Sequence, residues 1–410
     1  MAEVRRPFNH CRPEYAAASI QRAMDRGELT QRDADLLHEF IQETRVTNGI
    51  GISRGNKLIF SLVSWRRYIG PFADNTTAEL YKAFIDIDEA KSLRGKPYKK
   101  NTIVDLKKIL KQFYLWMSEN GYTPIPLLKI QRLKTDSRDT TTKTAGELLN
   151  PEEVEMMINA CKRDMDRALL VTLYEGAFRI GELGAMTWRQ VHFDKDGVVI
   201  NLKFKTDKER YIRLFMATEH LSRWRASYPG TPEGDALVFV GKDGQPLNHG
   251  AVLVQMRRIA ARAGITKHIT PHLWRHSRIT HLVKEGMSES VIKMIGWGSV
   301  DTRMFKTYLH LAGKDIDAET KRFYNIGDTG EMKEKRLEPI QCPHCRNING
   351  PTSRYCSLCG RSLTIEATVD ADEATDRLRL MPEWKARQAE LEELQKRVKE
   401  LEKAMEKRET

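Results

Sequence analysis

The chain has 410 residues, a net charge of +12 and a pI near 9.3, a balance that suits a polyanionic partner and puts nucleic acid first. At this length roughly two or three domains are expected, with ample chain to bury a core. No apolar run approaches the ~18 residues of a membrane span and the N-terminus lacks a signal-peptide core, so the expected location is cytoplasmic and nucleoid-associated, with no membrane partner.

From Pro13 to about Asn120 the apolar spacing predicts helices at 15–26, after Thr30, at 77–87 and at 102–119. The last sends Ile103, Leu106, Ile109, Leu110, Phe113 and Trp116 toward a core and leaves Lys107, Lys108 and Lys111 either to face a phosphate backbone or simply to be solvated. Asn120-Gly121 ends it, and the stretch to Leu149 loses periodicity and gains Pro124, Pro126 and the Thr140-Thr141-Thr142 run, as a linker does. This gives an N-terminal helical domain over 1–122 and a linker over 123–148.

A second domain is expected over 149–327. Asn150-Pro151-Glu152-Glu153 reads as a helix start, with Asn150 as cap, proline in the first turn and Glu153 three residues after the cap. In Gly176-Ala177-Phe178-Arg179-Ile180-Gly181-Glu182 an arginine stands at an elbow between apolar helical stretches. Apolar runs at 198–202 and 211–214, split by the charged stretch 205–209, predict a hairpin. Helices follow after Asn248, at Thr270-Pro271, after Ser288 and near Asp301. His272 and Arg275, three residues apart in a first helical turn, can both reach one anion, which the helix N-terminus also favours. Ile295-Gly296-Trp297 and then Tyr308-Leu309-His310 close the domain. Each segment alone has an ordinary structural reading: an Arg179–Glu182 pair, a capped helix with a surface His–Arg pair, a core tryptophan, an amphipathic tyrosine.

Four of the six cysteines form two Cys-x2-Cys knuckles, Cys342/Cys345 and Cys356/Cys359, with ten residues between them. That spacing aims four thiolates at one ion and predicts a structural zinc ribbon over 338–364, with no open coordination position for catalysis. A helix over 376–410 places Trp384, Leu391, Leu394, Val398, Leu401 and Met405 at heptad-like spacing. With barely three heptads, a self-associating coil, a helix docked on its own protein and a solvated helix are all open.

Taken in order, Arg179, His272, Arg275 and Tyr308 resemble the motif residues of the tyrosine recombinase (phage integrase) family, whose catalytic domain is shared with type IB topoisomerases. The resemblance spans roughly residues 30–325. Arg179 with Glu182 matches the first arginine box, His272 and Arg275 the His-x-x-Arg box, and Tyr308 the nucleophile. Lys205 matches the hairpin lysine, with Lys203 and Lys208 as competitors. Trp297 stands where many members have a second histidine; an indole donates one hydrogen bond but moves no proton, so it can stabilise or position only. The interval from Trp297 to Tyr308 is longer than the commonest one and, with the ribbon, resembles an archaeal-type branch.

The resemblance implies a mainly α fold with a small β-hairpin or sheet: a helical core-binding domain and a DNA breaking-rejoining catalytic domain closing on duplex DNA, then the ribbon and terminal helix. It implies attack by Tyr308 on a phosphodiester, a 3′-phosphotyrosyl link and a free 5′-hydroxyl, without ATP or magnesium. Arg179 and Arg275 would clamp the non-bridging oxygens, each worth about 3–4 kcal/mol in the transition state by analogy with a lost oxyanion donor. His272 is the candidate to accept the tyrosine proton or hold the phosphate, and Lys205 the candidate acid for the departing oxygen. A homo-oligomer, a tetramer on double-stranded DNA, is implied, and a helix at 314–324 exchanged between protomers is a further expectation. A DNA-binding regulator with the same fold and no catalysis, or a topoisomerase-like relaxing enzyme, are the alternatives.

Overall fold

The computed structural model describes residues 8, 12–93, 95–139, 145–203, 209–241, 243–302, 305, 308 and 337–406. Lys205 and Lys208, and the segment 314–324, lie outside the described residues. The chain divides into two compact units, Asn9–Lys143 and Thr144–Thr410, the second joined by Met1–Phe8.

The first unit is helical: α1 (Glu14–Asp25), α2 (Gln31–Asn48), α3 (Ile52–Trp65), α4 (Thr77–Asp86), α5 (Lys100–Glu119) and the short α6 (Leu127–Gln131). Asp33 organises its first half. The Thr30 hydroxyl accepts from the Asp33 N–H at 3.0 Å, and the Asp33 carboxylate accepts in turn from the Thr30 N–H, from Arg66 Nε at 2.9 Å and from the Phe72 N–H at 2.8 Å. A buried charge is tolerated only when saturated in this way. The core is aromatic, with Phe113 of α5 against Phe40, Phe72 and Trp116 at centroid distances of 5.1, 5.0 and 5.7 Å. Of the three α5 lysines in question, two are engaged within the unit: Lys107 pairs with Asp88 at 2.7 Å and Lys111 donates to the carbonyls of Gln131 and Leu133, while Lys108 is exposed.

In the second unit α7 (Pro151–Asn159) opens with the predicted capping box, Asn150 and Glu153 bonding reciprocally at 2.7 and 2.9 Å. Next comes α8 (Asp164–Glu175), which is buried from Ala168 through Glu175 and so runs through the core rather than along its edge. It leads into the elbow before α9 (Ile180–Gly184). The strands β1 (Val191–Phe193), β2 (Val198–Lys203) and β3 (Glu209–Leu214) form an antiparallel sheet in that order, in which Val198, Ile200 and Leu202 pair with Leu214, Ile212 and Arg210. Helices α10 (Ala217–Ala226), α11 (His249–Arg262), α12 (Pro271–Lys284) and α13 (Glu289–Trp297) complete it. The Glu175 carboxylate, at the end of α8, accepts from the N–H groups of Phe215, Met216 and Ala217 at 2.7, 3.0 and 2.8 Å, and so closes the start of α10.

Beyond these lie the two-residue strands β4 (Ile340–Gln341) and β5 (Ile348–Asn349), then α14 (Ile365–Leu380) and α15 (Pro382–Glu406). The helix expected over 376–410 is thus interrupted: Met381 is extended and Pro382, which has no N–H to donate, starts a new helix. Trp384, Leu391, Leu394 and Val398 of the stripe are exposed.

Candidate active site

Arg179 is the N-cap of α9, with extended backbone, so its side chain leaves the elbow where two helices meet. Its backbone N–H donates to Glu182 Oε2 and its Nη1 to Glu182 Oε1, each at 2.8 Å. The Glu182 side chain is fully buried while that of Arg179 is 38% exposed, so the guanidinium is held at its base and open at its edge.

Helix α12 begins as the sequence predicts, the Thr270 hydroxyl accepting from the Leu273 N–H at 3.1 Å with Pro271 in the first turn. His272 is exposed there, whereas Arg275 is buried. Arg275 Nη1 donates to the Ala177 carbonyl and Nη2 to the Gly296 carbonyl at 2.6 Å. Ala177 reaches that position with φ of 46°, a left-handed conformation unusual for a residue with a Cβ. Burial, with Arg179 nearby, lowers Arg275 to about 10, which leaves it charged at neutral pH.

Trp297 and Tyr308 meet this arginine. The Arg275 guanidinium lies 5.1 Å from the Trp297 ring centroid, and Trp297 stands edge-on to Tyr308 at 5.7 Å. Tyr308 is 2% exposed, in a cluster with Ala177, Ile279, Leu282, Val283, Ile292 and Phe305. Burial raises its phenol above the ordinary value near 10, opposed by the charges of Arg275 and Arg179. It is therefore protonated at neutral pH, and attack requires a proton acceptor.

The structure thus gathers Arg275, Trp297 and Tyr308 and sets the Arg179–Glu182 box close enough for its charge to act on Arg275. Lys205, outside the described residues, is not placed. The ring against Tyr308 is that of His276, at 5.2 Å, with His272 a further 6.5 Å along from His276. Sequence alone did not single out His276, although its place one turn after His272 put it on the same face. Arg210 was also missed: it donates to Glu182 Oε1 at 2.8 Å from the third strand.

Residues 147–314, which contain Arg179, His272, Arg275, Trp297 and Tyr308, match the model of the Phage integrase family. Over that stretch the chain is similar to the tyrosine recombinase (phage integrase) family. It is 28% identical over 320 residues to Transposase A from transposon Tn554 of Staphylococcus aureus, covering 70% of this chain and 83% of that one. Tyrosine recombinase XerC of Xylella fastidiosa is 26% identical over 256 residues, 61% of this chain and 83% of its own. The chain also shares its fold with the Lambda integrase bound to DNA, at TM-score 0.53 and 15% identity over 70% of this chain and 98% of that one. XerH recombinase bound to a palindromic difH substrate gives TM-score 0.51 and 16% identity over 76% and 96%.

The chain carries a second cluster away from these residues. Cys342, Cys345, Cys356 and Cys359 bring their sulfurs within 4.8 Å of one another, with Cys342–Cys359 at 3.7 Å and Cys345–Cys356 at 3.5 Å. Those are near the ~3.8 Å edge of a tetrahedron with 2.3 Å metal–sulfur bonds, so the four can hold a metal ion. Both knuckles close alike. The N–H four residues after the first cysteine, Arg346 and Gly360, donates back to its carbonyl at 2.9 Å, and both residues have left-handed φ, 63° and 73°. The module is seated on α10: Ser353 donates to the buried Glu219 carboxylate, and Gly350 packs so closely that a Cβ there would lie 3.2 Å from His220 Nε2 and 3.3 Å from the Met216 carbonyl. Among the described residues no helix is long and apolar enough to cross a membrane.

Proposed function

We propose that the recombinase cuts and rejoins double-stranded DNA at a specific site through Tyr308. The observation that carries this is the meeting of Arg275, Trp297 and Tyr308, from three segments of chain, around one buried phenol. Tyr308 attacks the scissile phosphate, forming a 3′-phosphotyrosyl bond and releasing a 5′-hydroxyl; attack by a partner duplex's 5′-hydroxyl completes exchange. Arg179 and Arg275 meet the charge that develops on the non-bridging oxygens, and their carboxylate and carbonyl anchors fix them before it develops. Trp297 orients Arg275 and the phenol. His272 remains the proposed proton acceptor or phosphate ligand and Lys205 the proposed acid; sequence alone supports the lysine. The covalent intermediate conserves the energy of the broken bond, so the reaction needs neither ATP nor magnesium.

Structural zinc is the proposed occupant of the four-cysteine cluster, since four sulfurs close its tetrahedron. The proposed division of labour is a core DNA-binding domain over 1–122, a linker over 123–148, catalysis over 149–327, the ribbon over 338–364 and the terminal helix after it. The fold is that of Lambda integrase, one structure of which is a tetramer on a Holliday junction, and this supports a tetramer of the recombinase on DNA, in the cytoplasm and associated with the nucleoid. The long Trp297–Tyr308 interval and the ribbon support an archaeal-type affiliation.

The test is recovery of DNA bound covalently to the protein from cells, after denaturant strips other DNA, with Tyr308→Phe as control. Fragments that cluster at one site and vanish in the phenylalanine protein are the expected result. Fragments scattered over the genome would replace site-specific exchange by relaxation, and no adduct from a protein that occupies DNA would leave a regulator.

A further inference from the structure

Arg210 occupies a position in β3 that the sheet's own pattern reserves for an aliphatic side chain. Ile212 and Leu214, which follow it on the same face, are 2% and 0% exposed, and Arg210 itself is 3% exposed. A buried guanidinium costs several kcal/mol unless it is fully engaged, and here an aliphatic residue would fill the face without that cost. What the arginine holds explains the charge. Its Nη1 donates to Glu182 Oε1 at 2.8 Å, the same oxygen that accepts from Arg179 Nη1 at 2.8 Å. Its Nη2 donates to the carbonyl of Ile295, and its plane lies 5.7 Å over the Phe178 ring, the residue before Arg179. The next carbonyl, Gly296, is the one that Arg275 binds. Two forked cations thus hold successive carbonyls at the C-terminal end of α13, where the helix dipole favours positive charge, and Trp297 follows directly.

We infer that Arg210 is a positioning residue for strand cleavage: through Glu182 it sets Arg179, and through the Ile295 carbonyl it sets the turn that carries Trp297 against Arg275 and Tyr308. It joins the anchors of both phosphate-clamping arginines. The fork matters, because a lysine ammonium is a single point that cannot span the carboxylate and the carbonyl in one plane. This inference rests on the recombinase reading above.

The experiment compares wild type, Arg210→Lys and Arg210→Met on a nicked duplex carrying the site recovered from wild-type adducts. The scissile position is either an ordinary phosphate or an uncharged methylphosphonate. DNA affinity is read by fluorescence anisotropy and single-turnover adduct formation at saturating DNA. The methionine protein should bind DNA within about twofold of wild type and form adduct some 10–100-fold more slowly, the usual effect of losing a group that orients an active-site residue. Lysine should restore part of the rate. On methylphosphonate the loss should shrink, since the clamp has no charge to meet, whereas general loosening of the fold would slow both substrates alike. An unchanged rate on the phosphate, a loss confined to DNA affinity, or an equal loss on both substrates overturns the inference. If the methionine protein does not fold, as judged by circular dichroism, full wild-type rate in the lysine protein overturns it. A wild type that forms no adduct removes the recombinase reading itself, and that failure is visible before any variant is compared.

Discussion

At the scale of single residues, the proposed cleavage site depends on Ala177. Its carbonyl accepts from Arg275 because the backbone turns left-handed there, at φ of 46°, and its methyl is buried among Ile279, Leu282 and Tyr308. Alanine tolerates this at a cost of about 1–2 kcal/mol; a β-branched side chain would add both backbone strain and overpacking. Ala177→Val should lower stability by about 2–3 kcal/mol and slow adduct formation, because Arg275 loses an anchor. A valine protein with an unmoved urea midpoint would show that the turn is not strained. The sequence displayed the glycine-rich elbow and the ordered arginines, since those are local chemical signatures. It did not display which carbonyls the buried arginine would take, nor that the imidazole against Tyr308 would be that of His276 and not of His272. Both depend on where α12 lies against residues far along the chain.

At the scale of elements, the helix starts were legible and the joints between elements were not. The capping box at Asn150 and the hydroxyl cap at Thr270 follow from short-range rules that need no knowledge of the fold. The joint between β3 and α10 instead hangs on Glu175, forty residues earlier in sequence than Phe215. Its carboxylate takes three N–H groups in a buried place. Glu175→Ala would leave those donors without an acceptor, at about 1–3 kcal/mol for each that water cannot reach. The expected loss is about 3 kcal/mol or more in a denaturant titration. A loss below about 1 kcal/mol would mean that water enters the joint and replaces the carboxylate. Lys107 and Lys111 teach the same lesson from the first unit: their place on one face of α5 was readable, but the acceptors that engage them lie on other segments.

At the scale of the molecule, the four-cysteine module is a seated part of the second unit. Its Gly350–Ser353 stretch meets Glu219 and His220 of α10, and Leu337, just before it, is buried in the unit's main core. Burial lowers His220 to about 4. The unfolded chain takes up that proton near pH 6.5 and the folded chain only near 4, so protons favour unfolding. Stability should fall as pH drops through 6.5 and go on falling to about 4, by about 3 kcal/mol in all. Glu175, its carboxyl held above the usual range by burial, acts in the opposite sense, so the difference between wild type and His220→Asn isolates the histidine. Thermal melts at pH 7 and pH 4.5 should show a larger drop for wild type; equal drops would mean that His220 is hydrated or paired when folded. By itself the sequence determined the candidate site residues in their order, the cysteine spacing and the helix caps, because each is set by chemistry within a few neighbouring residues or by the fixed order of a reaction's parts. Only the tertiary structure decided that Arg210 rather than an aliphatic residue fills the face of β3, that Tyr308 is buried against Trp297 and His276, and that the cysteine module rests on α10. Those outcomes depend on side chains distant in sequence competing for the same buried space and the same hydrogen-bond acceptors, which no local pattern records.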